Sequence, residues 1–227
     1  LVERHQDALL SGIWRMVGTD FDRGAQTMAV YNNHLYVGTK ADAGNVYRYE
    51  GDSVWRQVIN RWPDLLCWTS VTAMWVSDDG YLYIAFYVHP YDPGGSPFSA
   101  ITRYDGNTLY ELRELLAMEV NDLSQKGFDL FAATYGCDVE DRCRQMVSRL
   151  FRSPDGRYWS SVLQYYDYPM SAIEQFEGKL YLDFDDVVLA RTDGSGSFES
   201  VWNAPDTIIS MVADGHNALY FATDAGR

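Results

Sequence analysis

Five short stretches decide how this chain folds: His34-Leu35-Tyr36-Val37-Gly38-Thr39, Tyr81-Leu82-Tyr83-Ile84-Ala85-Phe86, Asp129-Leu130-Phe131-Ala132-Ala133-Thr134, Lys179-Leu180-Tyr181-Leu182-Asp183-Phe184 and Ala218-Leu219-Tyr220-Phe221-Ala222-Thr223. Counted from the leucine, they recur at steps of 47, 48, 50 and 39 residues. Seven or eight positions before each leucine stands another apolar residue: Met28, Met74, Leu123, Ile173 and Met211. Turn formers lie between the two, such as Asn32-Asn33, Asp78-Asp79-Gly80 and Glu177-Gly178. Strand, tight turn, strand is a β-hairpin.

A second pair of strands follows each of the first four hairpins. It reads Val46-Tyr47-Arg48-Tyr49-Glu50-Gly51 then Val54-Trp55-Arg56-Gln57-Val58 in the first copy, and Ile101-Thr102-Arg103-Tyr104-Asp105-Gly106 then Leu109-Tyr110-Glu111-Leu112 in the second. The third and fourth copies run from Leu150 to Val162 and from Leu189 to Trp202, again with an arginine two residues after the strand start. Four strands per repeat, at a period of about 40 to 50 residues, predict the blades of a β-propeller. The fifth copy stops after its inner hairpin. Val2-Glu3-Arg4-His5 and Ile13-Trp14-Arg15-Met16-Val17 match the missing outer pair. The expectation is therefore an all-β, five-bladed, single-domain propeller with four antiparallel strands per blade. Its blades fall at 24–58, 70–116, 119–163 and 170–203, and a closing hairpin at 207–224 is completed by outer strands from 1–18.

The outer turn of the third copy, Ser153-Pro154-Asp155-Gly156-Arg157-Tyr158-Trp159, resembles the Asp-box of sialidase-like and BNR-repeat propellers. Ser153, Asp155, Gly156 and Trp159 stand one residue closer together than in that family, and the other copies keep only the glycine and an aromatic. The resemblance implies the blade plan. In that family the Asp-box is a structural turn away from the active site, so no catalytic residue is carried over.

Composition narrows the function. The chain has 227 residues, 47% hydrophobic and 22% charged, enough to bury a full core and too apolar for a disordered chain. With 18 Lys+Arg against 32 Asp+Glu, a net charge of −14 disfavours nucleic acid and anionic membrane as partners. The longest uncharged stretch, Leu65 to Ser77, is 13 residues, short of a membrane span. No basic start with an apolar run is present, so any leader is expected to have been removed. Aromatics are abundant at 15%, with 17 Tyr, 7 Trp and 10 Phe.

Two sets of candidate site residues follow from the blade plan. The connections from second to third strand, and from blade to blade, share one rim, and the long segments fall there: Asn60 to Ser70, Tyr87 to Ser99, Tyr135 to Gln145, Gln164 to Pro169 and Asp183 to Asp186. Long loops are retained chiefly where they contact something. Trp62, Trp68, Tyr87, His89, Tyr91, Tyr135, Tyr165, Tyr168 and Asp185 are therefore expected to bind ligand, with Tyr166, Asp167, Asp92, Asp20 and Asp22 nearby. Flat aromatic faces beside carboxylates suit sugar rings, while aromatics inside strands (Tyr36, Tyr83, Tyr181, Trp55, Trp159) read as packing.

The second set faces the channel. The residues flanking each inner-strand anchor, and one position on the next strand, are small or neutral except for Asp122, Glu174 and Asp183. Clustered carboxylates raise one another's pKa and can divide into acid and base. The same three could hold a channel Ca²⁺ through oxygen ligands, or simply accept backbone N–H groups.

Cys137 and Cys143 flank an acidic loop and are expected to pair, which implies an oxidising compartment, extracellular or periplasmic. Cys67, in an apolar run beside Trp68, reads as an unpaired buried thiol. The four histidines have no zinc-like spacing. The leading expectation is a monomeric propeller that binds a neutral or cationic small molecule or glycan at the long-loop rim, with no obligate cofactor. A glycoside hydrolase using Asp122, Glu174 and Asp183 is the first alternative, and a protein-interaction scaffold the second.

Overall fold

The computed structural model describes residues 2–3, 15–16, 24–41, 44–60, 67–90, 97–116, 118–137, 144–166, 168–191, 197–214 and 217–224. Trp62, Tyr91, Asp92, Cys143, Asp167, Asp20 and Asp22 lie outside them, as do the side chains of Cys67 and Trp68. All regular elements among the described residues are strands. They are β1 (Val2–Glu3), β2 (Arg15–Met16), β3 (Ala25–Tyr31), β4 (His34–Ala41), β5 (Asn45–Gly51), β6 (Val54–Asn60), β7 (Cys67–Val76), β8 (Leu82–Pro90), β9 (Phe98–Tyr104) and β10 (Leu109–Leu116). The second half holds β11 (Met118–Lys126), β12 (Asp129–Cys137), β13 (Met146–Ser153), β14 (Ser160–Tyr166), β15 (Ile173–Phe176), β16 (Lys179–Phe184), β17 (Val187–Arg191), β18 (Glu199–Asn203), β19 (Ile208–Ala213) and β20 (Leu219–Thr223).

The expected units are present as antiparallel meanders. β3 to β6, β7 to β10, β11 to β14 and β15 to β18 each pair in sequence order, and β19 pairs with β20. Local chemistry sets the turns: Asn32-Asn33 and Glu177-Gly178 hold both central residues at positive φ, the two-residue turn whose twist matches the flanking strands. The recurring arginine has no common role, since Arg48 pairs with Glu50 at 2.7 Å and Arg152 with Asp129 at 2.6 Å.

Two features depart from the expected plan. The first two units are not separate sheets, because β4 also pairs with β7 through Lys40↔Ser70 and Ala41↔Thr69. Both strands extend past the apolar repeat, so their backbone groups meet. The N-terminal pair does not extend the last hairpin either. β1 pairs with β2 in a sheet of their own, and neither pairs with β20 among the described residues.

The core sits between units rather than within them. Tyr36 of the first packs with Met74 and Leu82 of the second. Tyr83 of the second packs with Leu123 and Leu130 of the third. Phe131 of the third packs with Ile173 and Leu180 of the fourth, and Tyr181 of the fourth packs with Met211 and Leu219 of the last hairpin. An aromatic one residue after the repeated leucine is thus inserted at every joint, each worth about 1.5–3 kcal/mol of apolar burial.

Candidate functional site

The innermost strands converge on one recess. β3, β7, β11, β15 and β19, together with the segment entering β15, line a cavity of about 610 Å³. Two of the three carboxylates singled out around the anchors, Asp122 and Glu174, stand in its wall, and Trp75 stands beside them.

The backbone supplies a ring that the sequence pattern did not reveal. β3, β7, β11 and β19 each carry a register shift at the same place, two residues before the apolar anchor. An extra residue there is unpaired and re-aims its side chain, which is why bulges collect near binding sites. The residues at that position are Gln26, Thr72, Asn121 and Ile209, with Ser171 at the corresponding place before β15, and all five line the recess. Four of the five carry an amide or a hydroxyl. A polar residue two places before four of the five anchors was the readable signal.

The carboxylates serve the joints first. Asp122 Oδ2 accepts the backbone N–H of Ile173 at 3.0 Å, and its Oδ1 accepts that of Leu123 at 2.8 Å. Asp183 Oδ1 accepts the N–H groups of Ser171 (3.0 Å) and Ala172, while its Oδ2 is buried with no hydrogen-bond partner. Glu174 accepts its neighbour Gln175 N–H at 3.0 Å and a backbone N–H from Ala213 of β19. Burial pushes Asp122 and Asp183 up to about 7, against the lowering effect of their N–H donors, and the charges of Glu174 and Asp183 raise Asp122 further. Burial raises Glu174 as well.

Asp122 and Glu174 therefore meet the recess, whereas Asp183 is wholly enclosed and absent from its wall. Among the described residues no three of His, Cys, Asp or Glu stand grouped as a metal would need. Asp122, Glu174 and Asp183 each have at least one oxygen turned to a backbone N–H donor. One further group does point to a missing acceptor: Trp75 Nε1 is buried without a hydrogen-bond partner.

The long-loop aromatics are placed differently from the expectation. Tyr87, His89, Tyr135, Tyr165 and Tyr166 belong to strand ends, because β8, β12 and β14 run on past the apolar repeat. Tyr87 is half-buried, its phenol held above the ordinary value by burial, and Tyr135 is half-buried too. His89, Tyr165 and Tyr168 are exposed, and the Tyr165 ring lies against Phe184 at 4.8 Å. Asp185 is no long-loop residue. It stands in the two-residue turn between β16 and β17 at φ +59°, and its carboxylate accepts the Thr207 hydroxyl at 2.7 Å. None of these aromatics lines the recess.

The Asp-box-like turn is structural. Asp155 accepts N–H groups from Arg157 and Tyr158 at 2.9 and 3.0 Å, which holds its carboxyl below the usual range. Asp105 does the same one unit earlier with Asn107 and Thr108 at 2.8 and 2.6 Å, and Gly106 and Gly156 follow at positive φ.

No protein-family model and no curated protein sequence matches the chain. Solved structures do. The extracellular domain named for a hybrid two component system of B. thetaiotaomicron aligns at TM-score 0.66 and 14% identity, covering 93% of this chain and 27% of that one. Trypanosoma rangeli sialidase aligns at TM-score 0.60 and 12% identity over 97% of this chain and 46% of its own. An α-L-arabinofuranosidase from Clostridium thermocellum aligns at TM-score 0.51 and 13% identity over 85% of this chain and 80% of its own. The fold is of the propeller type. At such identities the likeness extends to the fold alone, and the chain spans about a quarter of the length of the bacterial extracellular domains it matches.

Proposed function

We propose that this chain is a carbohydrate-binding propeller of five blade units whose ligand enters the recess between the inner strands. The observation that carries the reading is the set of polar bulge residues, Gln26, Thr72 and Asn121, with Ser171 at the corresponding place, lining one cavity with Trp75, Asp122 and Glu174. Amide and hydroxyl groups at fixed positions match the alternating donors and acceptors of a polyol, while an indole offers a flat face and an N–H. The acidic wall favours a neutral or cationic sugar over an anionic one. Solved sialidase and arabinofuranosidase structures among the fold's neighbours agree with a carbohydrate ligand.

Binding is preferred to hydrolysis because of Asp122. Both of its oxygens accept backbone N–H groups, which leaves it poorly disposed to hand a proton to a glycosidic oxygen. Exposed Tyr165, Tyr168 and His89 extend the proposed contact surface for longer glycans. An extracellular or periplasmic setting, with Cys137 paired to Cys143, belongs to the same proposal.

The test is calorimetric titration with neutral and amino-sugar oligosaccharides against sialylated ones. Saturable binding of the former, lost in Trp75→Ala, supports the reading. Flat titrations across the set sink it, and glycan cleavage abolished by Glu174→Gln replaces it with the hydrolase.

A further inference from the structure

Four consecutive backbone N–H groups, from Met170 to Ile173, are all taken by side chains. Ser148 Oγ accepts that of Met170 at 2.9 Å, Asp183 Oδ1 those of Ser171 (3.0 Å) and Ala172, and Asp122 Oδ2 that of Ile173 at 3.0 Å. Asn121 Nδ2 donates to the Met170 carbonyl at 2.7 Å, and Ser148 Oγ to that of Tyr168 at 2.5 Å. Backbone groups beside a core must find partners, and in a sheet the ladder supplies them. Here segment 168–172 is slung between the third and fourth blades by groups of β11, β13 and β16.

The other inner strands enter differently. Ladder pairing begins at Ala25 in β3, Cys67 in β7, Met118 in β11 and Ile208 in β19, in each case ahead of the bulge. In β15 it begins only at the anchor, Ile173. The sequence departs at the same place. Opposite the residue before the anchor stand Gly38, Ala85, Ala133 and Ala222, whereas Asp183 stands opposite Ala172. A carboxylate in place of a methyl group thus coincides with loss of the ladder, and that carboxylate takes two of the N–H groups left over.

The exception lies on the recess. Ser171 and Ala172 line it, and Ser171 holds the place of the bulge residues Gln26, Thr72 and Asn121. The wholly enclosed Asp183 carboxyl also interacts with the Ser171 hydroxyl, so it fixes both the backbone and the side chain of that residue. A local rule broken beside a binding site, and repaired by a buried group, marks a support for that site.

We propose that Asp183 is a positioning residue, which clamps segment 168–172 as one wall of the recess and so presents the Ser171 hydroxyl to the ligand. The inference rests on the carbohydrate reading above and gives Asp183 a part in binding without contact.

Calorimetric titration with cellotriose and with the glucosamine trimer, alongside amide hydrogen exchange followed by NMR, tests this. Alanine is the sister-blade residue, so Asp183→Ala is expected to fold, as circular dichroism checks. If it does not, Asp183→Ser, too short to reach both N–H groups, takes its place. Ser171→Ala and Asp183→Ala are each expected to weaken binding about tenfold, and the double variant no more than either alone. Asp183→Asn keeps an acceptor oxygen and should restore most of the affinity. Trp75→Phe, on another wall, should multiply with Asp183→Ala, since the clamp concerns one wall only. Ser171 and Asp183 losses that multiply overturn the proposal, as does wild-type affinity in Asp183→Ala. A Trp75→Phe change without effect in the Asp183→Ala background overturns it too, because the whole recess has then collapsed. Flat titrations of wild type sink the carbohydrate reading, and amide exchange then decides the clamp. Ser171 and Ala172 N–H groups that exchange fast in Asp183→Ala, and slowly in wild type and Asp183→Asn, uphold it. Equal rates overturn it.

Discussion

Asp122 Oδ2 accepts the backbone N–H of Ile173 at 3.0 Å, which ties a side chain of the third blade to the inner strand of the fourth. Glu174 repeats the gesture one blade later, toward Ala213. These acids stand out in sequence because they break a run of small residues, and the structure gives that break a mechanical meaning. Replacing Asp122 by Ala leaves a buried N–H unpaired, at a cost of about 1–3 kcal/mol. Asp122→Asn keeps an acceptor for Ile173 and is expected to lose less. Urea denaturation should rank wild type above Asn and Asn above Ala. Equal stability of all three would remove the staple from the account.

The same carboxyls make stability depend on pH. Asp122 and Asp183 both titrate near about 7 when folded, well above an unfolded aspartate near 4. The folded state therefore binds more protons between those values. Their contribution is complete below pH 4, declines as pH rises through 7, and is flat beyond. Melting temperature is expected to be higher at pH 5 than at pH 8, by on the order of 2–4 °C per kcal/mol lost. Asp183→Asn is neutral at both pH values and retains an oxygen for Ser171 and Ala172, so it should flatten the curve. A wild-type melting temperature that rises from pH 5 to 8 would contradict the assignment.

Ser99 and Ser148 form a second staple, at the same place in two blades. Ser99 Oγ accepts the Val120 N–H at 3.1 Å, and Ser148 Oγ accepts that of Met170 at 2.9 Å. Each accepted N–H lies three residues before an inner-strand anchor. At the next joint a backbone carbonyl, that of Asp185, takes the equivalent Ile208 N–H at 2.7 Å. Ser99→Ala and Ser148→Ala are each expected to cost about 1–2 kcal/mol, and the two losses to add, because no group is shared between them. Losses confined to one site would show that the staple is not a property of the repeat.

These serines explain what was legible in sequence and what was not. Strand order within each repeat could be read because a leucine followed by an aromatic recurs where burial is strongest. Asp122 and Glu174 could be found because they violate that pattern. Ser99 and Ser148, four residues before the repeated arginine, serve backbone groups alone, Ser148 accepting the Met170 N–H and donating to the Tyr168 carbonyl, and leave no such contrast. Strand ends were misjudged for a related reason: Tyr87 and Tyr135 follow the last apolar repeat residue, yet hydrogen bonding carries β8 and β12 past them. The β4–β7 pairing arises from the same extension and has no apolar signal at all.

Gly38 is the smallest residue at the second-strand position filled elsewhere by Ala85, Ala133, Asp183 and Ala222. A Cβ there would stand 2.4 Å from Val71 Cγ1 and 2.9 Å from Thr27 Cγ2. Val71 belongs to the adjoining blade and is fully buried, so it has no room to withdraw. Gly38→Ala is expected to destabilise by about 1–3 kcal/mol through overpacking. The double variant Gly38→Ala with Val71→Ala should recover part of the loss by vacating the clashing methyls. A neutral single variant, read by denaturant titration, would mean that the first joint is looser than its geometry.

Trp75 separates the recess from the scaffold. Its Nε1 is buried without an acceptor while its side chain lines the cavity, so a bound hydroxyl could accept that hydrogen. Trp75→Phe keeps a flat apolar ring and deletes only the donor. Lacking the unsatisfied N–H, the variant is expected to fold at least as stably as wild type. Its affinity for a saturating oligosaccharide should fall by roughly tenfold, the equivalent of one hydrogen bond of about 1.4 kcal/mol. Trp75→Ala removes the ring as well and should abolish detectable binding. The contrast between stability and affinity distinguishes the two roles open to this side chain. A packing residue loses stability in Phe and leaves affinity unchanged, whereas a ligand donor does the reverse.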